Sequence, residues 1–140
     1  MISVENAAAA GQRALPGPAV RRIVAYVCAA ERVRAAHFSF VAVDDRMMRT
    51  INRKFLRHDY VTDILTFPME EGEPVAEIYI NRQQLRRQAA EHGVTVTNEM
   101  VRLVVHGVLH TLGYDDTTPG AKRVMDRRQE RYVAALDRKR

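Results

Sequence analysis

The stretch VVHGVLHTLGYDD, residues 104–116, places His106 and His110 four positions apart among apolar neighbours, then breaks at Gly113 and ends in two adjacent aspartates. On a helix of about 100° per residue the two histidines lie about 40° apart around the axis and one turn apart along it, so both rings can reach one ion. Gly113, three residues after His110, lets the chain leave the helix. Asp116, three residues later, is then carried back toward the pair. If this segment is a helix ending in a ligand-bearing turn, the rest of the chain has to build a domain around it.

The spacing H-x-x-x-H-x-x-G-x-x-D matches every ligand position of the metzincin pattern H-E-x-x-H-x-x-G-x-x-H. Two residues differ. Gly107 stands where zincins carry the glutamate that takes the proton in peptide hydrolysis, which argues against a protease. Asp116 stands at the third ligand position, and a carboxylate is an accepted zinc ligand. Two His, one Asp and an open position describe a catalytic rather than a structural site. The plain alternative is a pair of helical histidines satisfied within the fold, and the matching offsets of Gly113 and Asp116 weigh against it. His37, His58 and His92 have no partners at ligand spacing, and His92 before Gly93 reads as a helix-end residue that favours the dipole. Met125, downstream, reads as core. Asp115 is left to the turn.

Outward from this centre, TNEMVRLVVHGVLHTLG reads as a helix capped by Thr97 or Asn98 and stopped by Gly113. Before it, RQQLRRQAAEHG is a helix closed by Gly93. After it, the segment from Thr118–Pro119 onward is a last helix with a cap and a first-turn proline. Strands are expected in HFSFVAVDD, TDILTFPME and VAEIYINR from their alternation, with EEGEP a turn between the last two. ISVEN is a candidate short strand, AAAAGQRALPGP a loose connection, and the segment from Pro18 a helix through Val20, Ile23, Val24, Val27 and Cys28. DDRMMRTINRKFL returns to helical period, with Asp44 or Asp45 as cap. The expected fold is α+β: a small mixed sheet packed with about five helices, the metal site on a central helix and the turn after it. Residues 1–16 form the N-terminal strand and connection, and 17–140 the remainder of one domain.

The bulk composition agrees. The chain has 140 residues, 46% hydrophobic and 28% charged, enough for one core. The net charge of +5 favours an acidic partner such as nucleic acid but does not require one. The lone cysteine, Cys28, permits no internal disulfide and suits a reducing, cytoplasmic setting; it reads as a core residue. No apolar run approaches a membrane span, and the N-terminus lacks the pattern of a signal peptide.

Three segments together resemble the YbeY family of bacterial metal-dependent endoribonucleases that act in ribosomal RNA maturation. HGVLHTLGYDD is similar to that family's H-G-x-L-H-L-x-G-Y-D-H. INRKFLRHDYVTDILTFP is similar to its Asn-led helix end followed by T-D-V-L-S-F-P, and AEIYINRQQLRRQA to its G-D-I strand followed by a helix. They span Asn52 to Asp116 in order. The resemblance implies a single-strand-specific endoribonuclease, a Zn²⁺ ion on His106, His110 and Asp116 with other divalent metals possible, a ribosomal RNA precursor as substrate, and the ribosome or its small subunit as partner. Asp116 replaces the usual third His, as in a subgroup of the family. Leu56 occupies the place of the family's arginine, with Arg57 beside it and Arg53 after Asn52; these two are the candidates for phosphate and transition-state contacts. Ala76-Glu77 replaces Gly-Asp.

With no glutamate beside the histidines, the proton acceptor must come from solvent activated by the metal or from elsewhere in the fold. An Asp ligand lowers the charge that solvent would feel, so it should be less acidic than in a three-His relative, and Mn²⁺ should compete better. Developing phosphate charge also needs cations. Arg53, Lys54, Arg57, Arg82, Arg86 and Arg87 flank the signature strands and as a group could line a groove for single-stranded RNA. The basic run from Lys122 to Arg140 reads mainly as a solvated face. Two other readings stand beside the nuclease: a zincin-type protease, and a non-catalytic RNA- or ribosome-binding factor with a structural metal.

Overall fold

Alternating apolar residues organise a four-stranded sheet. The strands are β1 (Ile2–Ala8), β2 (Ala36–Val43), β3 (Ile64–Pro68) and β4 (Val75–Asn81), in spatial order β1-β2-β4-β3. The pairs β1–β2 and β2–β4 are parallel and β3–β4 is antiparallel, so β3 is an edge strand. The computed structural model describes residues 1–57, 59, 61–69 and 71–138; His58, Glu70 of the expected EEGEP turn, and Lys139 and Arg140 of the basic run lie outside the described residues.

Phe38, Phe40 and Ala42 on β2 and Ala76, Ile78 and Ile80 on β4 are buried on one face of the sheet. Against that face pack α1 (Gly17–Ala30), through Val20, Ile23, Val24, Val27 and Cys28, and α4 (Val96–Thr111), with α5 (Pro119–Arg138) beyond it. The other face carries Val41, Leu65, Phe67 and Tyr79, which meet Met48 and Ile51 of α2 (Asp45–Ile51). The α3 helix (Arg82–His92) leads directly from β4, and buried Asn81 caps it by accepting from the Gln83 and Gln84 N–H groups at 3.0 and 3.3 Å. Gly93, at φ +64°, closes it. The α+β architecture, the mixed sheet and the five α-helices agree with the sequence reading.

Three local readings change. The α4 cap is Thr95, whose hydroxyl accepts from the Asn98 N–H at 3.0 Å, rather than Thr97 or Asn98. The Asn98 side chain is drawn instead to Asp137 and Arg102, 2.7 and 2.8 Å away. The first strand runs on through Ala7 and Ala8 because its parallel ladder with β2 continues to Ala42, overriding the weak β preference of alanine. The helix begun at Asp45 widens at the fully buried Asn52 into a π turn over Asn52–Leu56. Asp44 caps α2 and Thr118 caps α5, as the sequence suggests.

Candidate metal centre

His106 and His110 sit on the solvent-facing side of α4, both half-buried. Each has its Nδ1 against an oxygen that can only accept. His106 Nδ1 lies 2.8 Å from Gln129 Oε1, and the Gln129 amide is oriented by its own Nε2 donating to Glu130 at 3.3 Å. His110 Nδ1 lies 3.1 Å from the backbone oxygen of Tyr114. An accepting oxygen fixes the proton on Nδ1 and leaves the Nε2 lone pair as the free donor on both rings. Metal-binding histidines are commonly held in this way.

The turn after α4 is anchored from a distance. Gly113 takes φ +111°, a conformation that favours glycine. Tyr114 then points back into the fold and donates to Glu31 Oε1 at 2.8 Å. Glu31, the C-cap of α1, also accepts from the Tyr132 hydroxyl and from Arg128. Burial and then the bond to Glu31 push the Tyr114 phenol above its ordinary value. Asp115 caps the local turn, accepting from Thr117 N and Oγ1 at 3.2 and 3.0 Å, as expected. Asp116 is exposed and lines a cavity of about 480 Å³ together with His106.

That cavity is acidic. Asp63, Glu91, Glu99, Asp116 and Asp126 line it, and among the described residues its one Lys or Arg is Arg102. Glu99 is only 2% exposed; it accepts from Arg102 at 3.0 Å and from Gln88 at 3.1 Å, and His92 lies 3.7 Å away. Gln88 also donates to Asp63 Oδ2 at 3.0 Å. Asn81 secures the loop before Asp63, donating to the Thr62 carbonyl at 3.3 Å and to Asp45 at 2.8 Å. Sequence reasoning gave Asp63, Gln88, Glu99 and Gln129 no role. Asp63 stands inside the TDILTFP segment and could have been found there; the others meet the cavity through contacts across helices.

Gly107 points away from the cavity. A Cβ there would lie 3.1 Å from Ile78 Cδ1 and 3.2 Å from Ile64 Cδ1, so the glycine lets α4 press against β3 and β4. A glutamate at this position would enter the core. Met125 and Cys28 are buried core residues, and burial, reinforced by nearby Glu31, pushes the Cys28 thiol up to about 11, which keeps it inert.

The cavity holds His106 and Asp116, but neither His110 nor Arg53, Lys54, Arg57, Arg82, Arg86 or Arg87 lines it. Arg53 pairs with Asp59 at 2.7 Å, and Arg87 forks onto Asp45 at 2.6 and 3.0 Å. Arg82 donates to the carbonyls of Arg13 and Ala14, both at 2.9 Å. Arg57 ends the π turn at φ +57°. Among the described residues, no three His, Cys, Asp or Glu side chains converge as a metal cluster. What fits a metal is the donor chemistry: two oriented imidazoles on adjacent turns, and a carboxylate on the turn that follows.

A family model described as Endoribonuclease YbeY matches residues 6–137. Curated relatives of that description include one from Chlorobium phaeovibrioides, 38% identical over 126 residues, covering 89% of this chain and 85% of the relative. Another, from Chloroherpeton thalassium, is 36% identical over 123 residues and covers 87% of each. A solution structure of a Thermotoga maritima protein superposes with a TM-score of 0.64 at 25% identity, covering 95% of this chain and 87% of that one.

Proposed function

The chain belongs to the YbeY endoribonuclease family, and on that premise we propose that it cuts single-stranded segments of precursor ribosomal RNA with a divalent ion, Zn²⁺ foremost, held by His106, His110 and Asp116. The observation that carries this reading is the pair of histidines whose Nδ1 atoms are both committed to oxygen acceptors, leaving two Nε2 donors on one helix face. The charge of the cavity supports it. A phosphodiester is an anion, and five carboxylates against one arginine repel it. A bound divalent ion would offset part of that repulsion beside the histidines and polarise the phosphate.

The remaining roles fall to the chain itself. Gln129 and the Tyr114 carbonyl orient the imidazoles, and Glu31 holds Tyr114 in place. Asp63 and Glu99, with Gln88 between them, form a fixed acidic wall able to accept a proton or orient water. The protease reading fails on sterics as well as chemistry, because position 107 faces Ile78 and Ile64 rather than the cavity. The ribosome or its small subunit is the expected partner. Among the described residues no helix is long and apolar enough to cross a membrane.

The test is elemental analysis of the purified protein combined with cleavage of precursor ribosomal RNA by wild type, His110→Ala and Asp116→Ala. Loss of both metal and cleavage in the two variants is expected. Undiminished cleavage by metal-free protein would refute the proposal. Wild type that holds metal and binds RNA without cutting it would leave a non-catalytic binding factor.

A further inference from the structure

On the sheet face opposite α4 lies a second cavity, an open groove of about 390 Å³. Three aromatic rings from three elements form its wall. Phe55 of the π turn meets Phe67 of β3 edge to face, with centroids 6.0 Å apart, and Phe67 meets Tyr79 of β4 in the same way at 5.8 Å. Phe55 is 61% exposed and Met69 at the groove's end 66%. Phe55 and Met69 thus present apolar side chains to solvent along the groove. Tyr79 is fixed by donating to Glu77 at 2.7 Å, which holds the ring at the groove floor.

Two observations identify the occupant. The first is charge. The segment that carries Phe55 holds Arg46, Arg49, Arg53, Lys54 and Arg57 with no carboxylate between them. Arg46, Arg49 and Arg53 line a cavity with Asp45, Arg49 and Arg53 meet the flanking Asp59 at 3.8 and 2.7 Å, and Lys54 Nζ stands 5.4 Å from the Phe55 ring centroid. Aromatic faces beside a row of cations suit a polyanion with flat bases. The second is continuity. Asp63, just before the edge strand β3, and Ile64 at its start lie on the rim of the His106 cavity, and Phe67 and Pro68 at its end line the groove. Ile64 and Phe67 are three positions apart along the strand, about 10 Å. One extended single strand can cross the open edge of β3 and occupy both.

We propose that the Phe55–Phe67–Tyr79 groove is a stacking site for unpaired bases of the same RNA whose backbone enters the histidine cavity, with Lys54 and the arginines of its segment contacting the flanking phosphates. This rests on the nuclease reading and extends it, because it places the substrate's register-setting contact away from the metal. It also gives Arg53 and Arg57 a role outside the cavity that they do not line.

The test uses the full chain and short single-stranded RNA oligonucleotides containing 2-aminopurine, whose fluorescence is quenched on stacking. Binding is followed by anisotropy in parallel, and cleavage kinetics on the same oligonucleotides. Wild type is expected to bind and quench. Phe55→Ala and Phe55→Leu are expected to lose the quench and to weaken binding about tenfold, raising KM with kcat little changed, and Phe55→Tyr to restore wild-type behaviour. Phe55 is exposed but packs on Phe67, so circular dichroism and chemical denaturation confirm for each variant that the fold is kept. Wild type that binds RNA without quenching, or Phe55→Leu that behaves as wild type, overturns the stacking site and leaves the nuclease reading standing; the latter result would point to a groove for an apolar protein segment. Wild type that binds no RNA overturns both.

Discussion

His110 and Tyr114 are joined by one hydrogen bond that folds back around the end of α4: the imidazole Nδ1 lies 3.1 Å from the Tyr114 backbone oxygen. The same tyrosine is tied through its hydroxyl to Glu31, at the far end of α1. Orientation of His110 at the candidate metal centre is therefore set through Tyr114 by an anchor 83 residues from that tyrosine in sequence. Gln129 acts directly on His106, whereas Glu31 acts on His110 through one intermediate residue.

These two supports should differ in strength. Gln129→Leu removes the acceptor for His106 Nδ1 and is expected to weaken Zn²⁺ binding by roughly 10- to 100-fold, the range for partners of ligating histidines. Tyr114→Phe keeps the backbone acceptor and loses only the anchor, so the expected loss is about tenfold or less. Competition with a chromogenic chelator measures both without reference to activity. Equal affinities in wild type and Gln129→Leu would show that the amide does not orient a ligand.

How much of this was legible in the sequence depended on range. The α4 histidines, Gly113, the Asp115 turn and the Asp116 position follow from spacing along one helix and its exit, and the structure bears out the helix and the turn. The alternation in HFSFVAVDD and VAEIYINR predicted the two strands, and the structure shows Phe38, Phe40, Ala42, Ala76, Ile78 and Ile80 on their buried face. The supports of the site were not legible, because Glu31, Gln88 and Gln129 reach it only through tertiary contacts with no local pattern. The sequence places the α4 cap at Thr97 or Asn98, two or three residues late, because Thr95, Thr97 and Asn98 are all good caps, and the choice is made by where Arg102 and Asp137 draw Asn98. Gly107 was read as a missing base; its packing against Ile78 and Ile64 needed the fold to be seen.

That last point yields a sharp outcome. Restoring the zincin glutamate with Gly107→Glu should not create a protease. It forces a charged side chain against Ile64 and Ile78 in the core, a penalty of roughly 3–5 kcal/mol. Gly107→Ala should fall near neutral, because about 1 kcal/mol of helix propensity offsets the crowding at 3.1–3.3 Å. Urea unfolding of both variants decides it; a stable, folded Gly107→Glu would mean that α4 can lift from the sheet.

Glu99 is the most deeply buried carboxylate of the cavity wall, and Arg102 supplies its charge partner. Arg102→Met should destabilise the fold by about 3 kcal/mol, since it strands a buried charge that keeps only Gln88 and a distant His92. Adding Glu99→Gln to that variant should recover a large part of the loss, because the amide carries no charge. A double-mutant cycle by chemical denaturation reads the coupling, and strict additivity of the two changes would show that the pair is not coupled.

The other side of Arg102 predicts the acid behaviour. Its guanidinium donates to Glu130 through Nε at 2.8 Å and Nη2 at 3.0 Å, and this holds the Glu130 carboxyl below its ordinary value of 4.5. Asp45, bonded first to Arg87 and then to Asn81, is likewise held below 3.8. A carboxyl whose folded value is depressed stabilises the protein fully above its unfolded value and loses that contribution as pH falls through the folded one. Stability from these pairs should therefore be level from neutral pH down to about pH 5, then decline below 4.5 and 3.8 in turn. The Glu130 side chain is 53% exposed, so its share is screened and amounts to less than about 1 kcal/mol. Glu130→Gln should lower stability slightly at pH 7 and flatten the decline below pH 4.5, as followed by circular dichroism at fixed denaturant. An acid limb that runs parallel to wild type would place the linkage elsewhere.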